Sequence, residues 1–522
     1  MHWSEKAARE VIKKYPNCNE YVCAAGISPS GSVHIGNFRD IATAYYVTLS
    51  LRRLGKKAKM LFSWDEYDRF RKVPANIKAI RDDYEQYIGL PYSKVPDPFG
   101  CHESYAKHFE AEFEKALKLF GVELEYKYQA ENYLSGMYKE KVMYAIDKRL
   151  EIYDIIMDQK TQEATAEERE AYYPVNIYCD KCGKDNTTIT NVDDNYVADY
   201  TCTCGNHGKF DFKTQFNCKL AWKIDWPMRW QYEGVTFEPG GKDHAAPGGS
   251  YDVSKIISKQ IFKYEPPAFI AYEFIGIKGN VGKMSSSTGF NLTPETLLKV
   301  YQPEVILWLY SKTDPIRAFD FCFDEEILRQ YFEFDKMLND YYNGKQGPAK
   351  EIMEIFMTNR PRLETVPMAQ LVNFGPIVNW DADLLETLLS RIGAPYTKEQ
   401  FLPRLKLAKS WLELCSPESL MKLKDNNDEL YYNTLSNEEK QTINLLYQNL
   451  NNNDYDLEGI KSMLYAVVTE VYGDIDMEQK KIEQAKFFKN VYTLLIGKET
   501  GPRLYLFLAA LDKSSYLKLL NF

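Results

Sequence analysis

A chain of 522 residues with 45% hydrophobic and 27% charged side chains has material for roughly three or four ordinary domains, each with a buried core. Its net charge of −9 argues against a general nucleic-acid binder, whose surface is usually basic, while leaving room for a local basic patch. No apolar run approaches the ~18 residues of a membrane span, and Met1–Glu10 lacks the apolar stretch of a secretion signal, so the expected location is the cytoplasm.

Residues 4–15 are predicted as a short helix ending near Pro16. Tyr21–Ile27 is a compact apolar run of strand length, followed by the turn Ser28-Pro29-Ser30-Gly31-Ser32. A helical pattern then runs from Gly36 to Arg53, and Lys57–Trp64 is predicted as a second strand. Strand, glycine-containing turn, helix and strand make a βαβ unit, the expected start of a parallel nucleotide-binding sheet. His34, Gly36 and Asn37 fall where that helix begins. A helix N-terminus offers unpaired N–H groups and partial positive charge to a phosphate. Gly31 and Gly36 allow close backbone approach, and His34 can donate to a phosphate oxygen.

Residues 101–171 read as helical and charged, whereas 174–218 combines turn residues and short β-like runs with two cysteine pairs. Cys179-x2-Cys182 and Cys202-x-Cys204, at two corners of a hairpin, suit a closed tetrahedral zinc. The Cys-x-Cys half is tight, so His207 is an alternative ligand to Cys202 or Cys204. The scattered cysteines Cys18, Cys23, Cys101, Cys218, Cys322 and Cys415 are expected to act as small buried hydrophobes. Residues 219–290 return to α/β character, with a strand over Ala268–Ile275 and a glycine-rich turn at Gly241-Lys242-Asp243-His244. Lys283-Met284-Ser285-Ser286-Ser287 lies between glycines, where a lysine and serines can reach a pyrophosphate. Beyond 294 the pattern is helical to the end, as at Pro294–Tyr301, Glu325–Tyr341, Lys350–Met357 and Leu457–Val471.

His34-Ile35-Gly36-Asn37 resembles the HIGH signature of class I aminoacyl-tRNA synthetases, departing from it at Asn37. Lys283-Met284-Ser285-Ser286-Ser287 resembles their KMSKS signature, departing at Ser286. Longer strings are similar to the class I lysyl-tRNA synthetases: Ala25–Gly31, Trp64–Asp68 with Arg71–Pro74, Gly241–Ser250, and Lys498-Glu499-Thr500-Gly501-Pro502-Arg503. The glutamyl enzymes of this class carry an arginine ten positions before the first His of HIGH. Here that position is Ala24, which disfavours an anionic substrate side chain.

The resemblance implies a Rossmann-type α/β catalytic domain over 1–290, with a helical and zinc-ribbon-like insertion at about 92–218. It further implies a helical stem-contact-type connector over 291–360 and an all-α anticodon-binding domain over 361–522. The implied activity is ATP-dependent activation of L-lysine and its transfer to tRNA(Lys), with Mg²⁺ on the ATP phosphates and no role for DNA or a membrane. His34 and Lys283 are the implied catalytic residues, and Gly36, Asn37, Asp243, Met284, Ser285 and Ser286 join them in holding ATP. Gly26, Ser28, Trp222, His244 and Tyr272 are the implied lysine pocket, in which Trp222 and Tyr272 can face an ammonium. Asp65 or Glu66 is expected to supply its counter-charge, and Trp380, Trp411 and Arg503 are candidate anticodon readers.

Overall fold

Trp3–Lys14 forms helix α1, and the apolar run Tyr21–Ile27 forms strand β1. The structure is a computed structural model that describes residues 1–159, 165–278, 292–417 and 420–522. The described chain makes two compact units, Met1–Cys322 with Met337–Pro361, and Phe323–Lys336 with Arg362–Phe522.

In the first unit β1 leads through the predicted turn into helix α2, Ile35–Arg53, which is buried on almost every side. Its apolar residues run all round the helix, which suits an element packed within a core rather than on a surface. Strand β2, Ala58–Trp64, returns parallel to β1 in continuous register, from Tyr21 opposite Ala58 to Ile27 opposite Trp64. Helix α3, Tyr105–Phe120, ends at Gly121 in the left-handed region (φ +63°). Strand β3, Glu125–Tyr128, then pairs parallel to β2. This corrects the all-helical expectation for 101–171. A four-residue edge strand of alternating charged and aromatic residues has too little periodicity to stand out between helices.

A second sheet system interrupts the first. Val175–Ile177 (β4) pairs antiparallel with Cys218–Leu220 (β8) as the stem of the insertion. Thr187–Val192 (β5), Val197–Cys202 (β6) and His207–Asp211 (β7) form an antiparallel three-stranded sheet beyond it. Ala198, Tyr200, Phe210 and Phe212 bury into an apolar cluster shared with Tyr133, Val175 and Ile224.

Helix α4, Trp222–Glu233, leads to strand β9, Val235–Gly241; helix α5, Ser250–Gln260, leads to strand β10, Ala268–Tyr272. The main sheet is parallel throughout, in the order β10-β9-β1-β2-β3. Strand order reverses across β1, so a crevice opens at the carboxyl ends of β1 and β9, where doubly wound sheets bind ligands. The β1–β9 ladder pairs Val22 with Val235 and Cys23 with Phe237 and shifts register between them.

The predicted strand Ala268–Ile275 is two strands, β10 and Ile275–Ile277 (β11). At the break the Glu273 N–H donates to Pro315 O (2.8 Å), and Arg39 donates to Glu273 O (3.1 Å), so the backbone is drawn out of the main sheet. β11 pairs with Phe319–Phe321 (β12), a short strand inside the stretch predicted as purely helical. Three residues carry no readable period, and only the presence of β11 makes a strand of them. The predicted helix Pro294–Tyr301 is the shorter Pro294–Leu297.

The second unit is helical. Leu457–Tyr472 and Met477–Ile496 start at aspartate caps, Asp456 and Asp476, and pack Val467, Val468, Phe487, Val491 and Leu495 into one core. Trp411 is buried, its indole N–H donating to Phe323 O (2.9 Å), so it is a core residue rather than a base reader. Trp380 is half-buried at positive φ and packs over Gly375.

Candidate active site and cysteine cluster

At the crevice lies a cavity of about 710 Å³. Of the sequence-derived residues, Gly26, Ser28, Asn37, Asp65, Trp222, His244 and Tyr272 line it together, although they come from six different segments. Gly26 and Ser28 lie at the end of β1, Tyr272 ends β10, Trp222 opens α4, and His244 lies in the short turn Lys242–Ala245 after β9. Asp243 shares that turn. A side chain at 26 would place its Cβ 3.2 Å from Ser63 O, a tight contact that the neighbouring strand would have to yield to by a few tenths of an ångström.

His34 caps α2. The Asn37 N–H donates to its Nδ1 (3.3 Å), which puts the proton of the neutral ring on Nε2. Nε2–H is therefore the N–H donor of the ring. A Cβ at Gly36 would stand 2.8 Å from this ring, so the glycine leaves room for the histidine to fold over the helix end. Asn37 Oδ1 is buried without a hydrogen-bond partner among the described residues. Lys283, Met284, Ser285 and Ser286 lie outside the described residues.

Below the cavity runs an ion network that the sequence did not reveal. Arg229 donates to Asp65 Oδ1 and to Ser63 Oγ (both 2.7 Å) and lies 3.2 Å from Asp225. Lys219 bridges Asp225 (3.4 Å) and Asp68, and Asp68 accepts from Ser28 Oγ (2.9 Å). Burial works against the charge on Arg229, but the facing carboxylates Asp65 and Asp225 outweigh it and keep the guanidinium firmly charged. Asp65 thus lines the cavity but already holds an arginine, and Glu66 is spent on the N–H groups of Gln129 and Ala130 (3.0 and 2.8 Å). The Arg229 guanidinium also sits over the Trp222 ring (5.2 Å), which stacks on Trp226 (5.0 Å).

Two further carboxyls reach the cavity floor. Burial raises Asp40 well above the usual carboxylate range, with Glu238 nearby adding to the effect; Asp40 accepts from the Gly26 N–H (3.2 Å) and from the Tyr272 hydroxyl. Burial likewise raises Glu238 to about 7, although Trp230 Nε1–H donates to it (2.6 Å). The floor therefore sets five carboxyl groups, Asp40, Asp65, Asp68, Asp225 and Glu238, against two buried cations, Lys219 and Arg229. Arg71 and Lys72 line the cavity from exposed positions, so acid lies at its base and base at its rim. A buried charge within apolar helices, as at Asp40 in α2 and at Asp225/Arg229 in α4, was the one available sequence signal.

In the insertion, Cys179, Cys182, Cys202 and Cys204 bring their sulfurs within 4.8 Å of one another. The Cys179–Cys204 and Cys182–Cys202 separations are 3.8 and 3.7 Å. Four thiolates at ~2.3 Å from a tetrahedral zinc stand about 3.8 Å apart, so the donor set fits that ion. Burial pushes the Cys179 thiol up, but the N–H groups of Cys182 and Lys181 and the Asn206 amide outweigh it and hold the thiol at about 6. His207, exposed at the start of β7, is not part of the group. Of the scattered cysteines, Cys23, Cys218 and Cys322 are buried as expected; Cys18 and Cys415 are half-buried, and Cys101 is exposed.

Residues 1–361 match the family model described as tRNA synthetases class I (K). The chain is 34% identical over 533 residues to a lysine–tRNA ligase of Treponema pallidum, covering 100% of this chain and 98% of the relative. It is 34% identical over 518 residues to that of Borreliella burgdorferi, covering 96% and 95%. It is 33% identical over 538 residues to that of Pyrococcus horikoshii, covering 100% and 99%.

Proposed function

The chain belongs to the class I lysyl family of tRNA synthetases, and from that premise we propose that the crevice between β1 and β9 is where it activates L-lysine with ATP for transfer to tRNA(Lys). The observation that carries this assignment is the cavity itself: an acidic floor suited to a cationic side chain, directly beside a helix N-terminus suited to phosphate.

In this reading Mg²⁺ accompanies the ATP phosphates and neutralises part of their charge. His34 donates from Nε2 to a phosphate oxygen, and Lys283, with Met284, Ser285 and Ser286, approaches the diphosphate. The lysine carboxylate attacks the α-phosphorus, and the bond to the β-phosphate oxygen breaks, giving lysyl-adenylate and diphosphate. The substrate carboxylate is already ionised, so no protein base is needed. The donors accelerate the step by meeting charge that grows in the transition state. The 2′-hydroxyl of the tRNA terminal ribose then attacks the adenylate carbonyl and releases AMP. Gly36 and Asn37 border the phosphates, and Asp243 suits the ribose hydroxyls.

Gly26, Ser28, Trp222, His244 and Tyr272 shape the lysine site. Asp65 lines this site already paired with Arg229, so the direct counter-charge to the substrate cation falls to Glu238, which burial raises to about 7, and to Asp40, which burial raises well above the usual carboxylate range; a bound cation favours the ionised form of both.

The four cysteines hold a structural zinc. With every position of a tetrahedral ion filled, it folds the insertion and takes no part in catalysis. In the second unit a cavity of about 620 Å³ combines Arg503, Lys461 and Lys489 with Tyr465, Phe488 and Tyr505. Cations beside half-exposed rings suit splayed, stacked RNA bases, so this helical unit is proposed to bind the anticodon. Of the domain limits expected from sequence, 361–522 is retained for that role.

The test is aminoacylation of total tRNA with each of the twenty amino acids singly, with Lys283→Ala as control. Charging by lysine alone, lost in the variant, is the expected result. Charging by another amino acid would overturn the pocket assignment.

A further inference from the structure

The Ser28 hydroxyl lines the cavity just past the end of β1, and its proton is already spent: Oγ–H donates to Asp68 Oδ2 (2.9 Å). The other oxygen of Asp68 accepts from Lys219, a buried cation on β8. We propose that Asp68 and Lys219 are positioning residues, which together turn the Ser28 hydroxyl into an acceptor-only group for a substrate ammonium. This rests on the reading of the cavity as a lysine site.

A serine hydroxyl has one proton and two lone pairs, and a free one meets a ligand as donor or as acceptor. A hydrogen bond to an ionised carboxylate removes the choice, because a carboxylate only accepts. The Ser28 proton then points away from the cavity, and the lone pairs are left for the ligand. An ammonium brings only donors and fits that oxygen. A ligand carboxylate placed there brings only acceptors and is refused.

Lys219 keeps the carboxylate ionised. Burial pushes Asp68 up, but the charge and hydrogen bond of Lys219, with the Ser28 hydroxyl, outweigh it and hold Asp68 below its ordinary value. Lys219 is itself held between Asp68 and Asp225 (3.4 Å). The backbone fixes the carboxylate as well: the Asp68 N–H donates to Asp65 O (3.1 Å), and the Asp68 carbonyl accepts from the Tyr92 N–H (3.0 Å). Tyr272 makes the contrast. Its hydroxyl donates to Asp40, but burial lifts Asp40 well above the usual carboxylate range. A protonated carboxyl can donate as well as accept, so of the two hydroxyls Ser28 is the one whose proton has a fixed direction.

Lys219 also decides what a substitution does. In Asp68→Asn the side chain keeps its shape but carries one oxygen and one NH2. Lys219 brings only donors, so the amide oxygen faces it and the NH2 faces Ser28. The amide then donates to Ser28 Oγ, and the hydroxyl proton swings into the cavity against the ammonium. The substitution reverses the polarity of a residue it does not replace.

The test is the KM for lysine and for ATP in aminoacylation of total tRNA by the unaltered chain, Asp68→Asn, Ser28→Ala and the double variant. Asp68→Asn should raise the KM for lysine about tenfold or more, the scale of one lost charge-assisted hydrogen bond, and leave that for ATP within about twofold. On a Ser28→Ala background Asp68→Asn should add no more than about twofold, since no hydroxyl remains to turn. If Asp68→Asn fails to fold, Asp68→Leu/Lys219→Met, which removes both charges together, takes its place in the same cycle. Full additivity of the two substitutions means that Asp68 meets the ammonium itself and overturns the inference. So does an unchanged KM for lysine, or an equal rise for both substrates, while the unaltered chain charges lysine. An unaltered chain that charges another amino acid or none overturns the lysine reading and this inference with it.

Discussion

Glu238 is the residue on which the proposed lysine site turns. Burial raises its carboxyl from the ordinary 4.5 to about 7, so the folded protein binds that proton more tightly than the unfolded chain does. Without substrate, its contribution to stability is greatest below pH 4.5 and declines by about 3 kcal/mol as pH rises through 7. A bound ammonium reverses the preference by favouring the ionised form. The KM for lysine should therefore fall roughly tenfold between pH 6 and 8, as the ionised fraction grows. In Glu238→Gln that fall should vanish and kcat/KM for lysine should drop roughly tenfold or more. An unchanged pH profile in the variant would remove Glu238 from the site. Gly36 makes a second case. A methyl group there meets the His34 ring at 2.8 Å, so Gly36→Ala should lower kcat by roughly a hundredfold, the scale of a lost transition-state donor. The KM for lysine should stay close to wild type, because the lysine site lies beside the ring and not under it.

Among the elements, the insertion that carries the four cysteines is the one whose folding the proposed zinc would support. Its three strands join an apolar cluster shared with Tyr133, Val175 and Ile224, and the four sulfurs tie the turn after β4 to the end of β6. Structural zinc contributes its binding free energy directly to folding. Chelation, or Cys182→Ser/Cys204→Ser, should expose residues 175–220 to limited proteolysis while the parallel sheet survives, and circular dichroism with peptide mapping would show both. The cysteine spacing made this element legible. Strands β3 and β12 were not legible, because a strand of three or four residues takes its identity from the neighbour it pairs with and not from its own period.

Over the whole molecule, an α/β unit carries the proposed chemistry and a helical unit carries the proposed RNA site. In the second unit Arg503 donates to the Tyr505 hydroxyl (3.3 Å), and exposed Tyr465 meets Phe488 edge-on (5.6 Å). Stacking a base is worth about 1–3 kcal/mol. Tyr465→Ala/Arg503→Ala should accordingly raise the KM for tRNA roughly tenfold or more while leaving kcat at saturating tRNA within about twofold. Steady-state aminoacylation over a tRNA titration checks this, and an unchanged KM would move the anticodon site elsewhere. The order of strands and helices around β1, the helix cap at His34 and the cysteine cluster were determined by the sequence itself, since each rests on residues close together along the chain. The tertiary structure alone decided the acidic floor. Asp40, Asp68, Lys219, Arg229 and Glu238 come from separate elements, and burial is what sets their charges against one another. The same holds for Asp65, which the sequence offers as a counter-charge and the fold had already paired with Arg229.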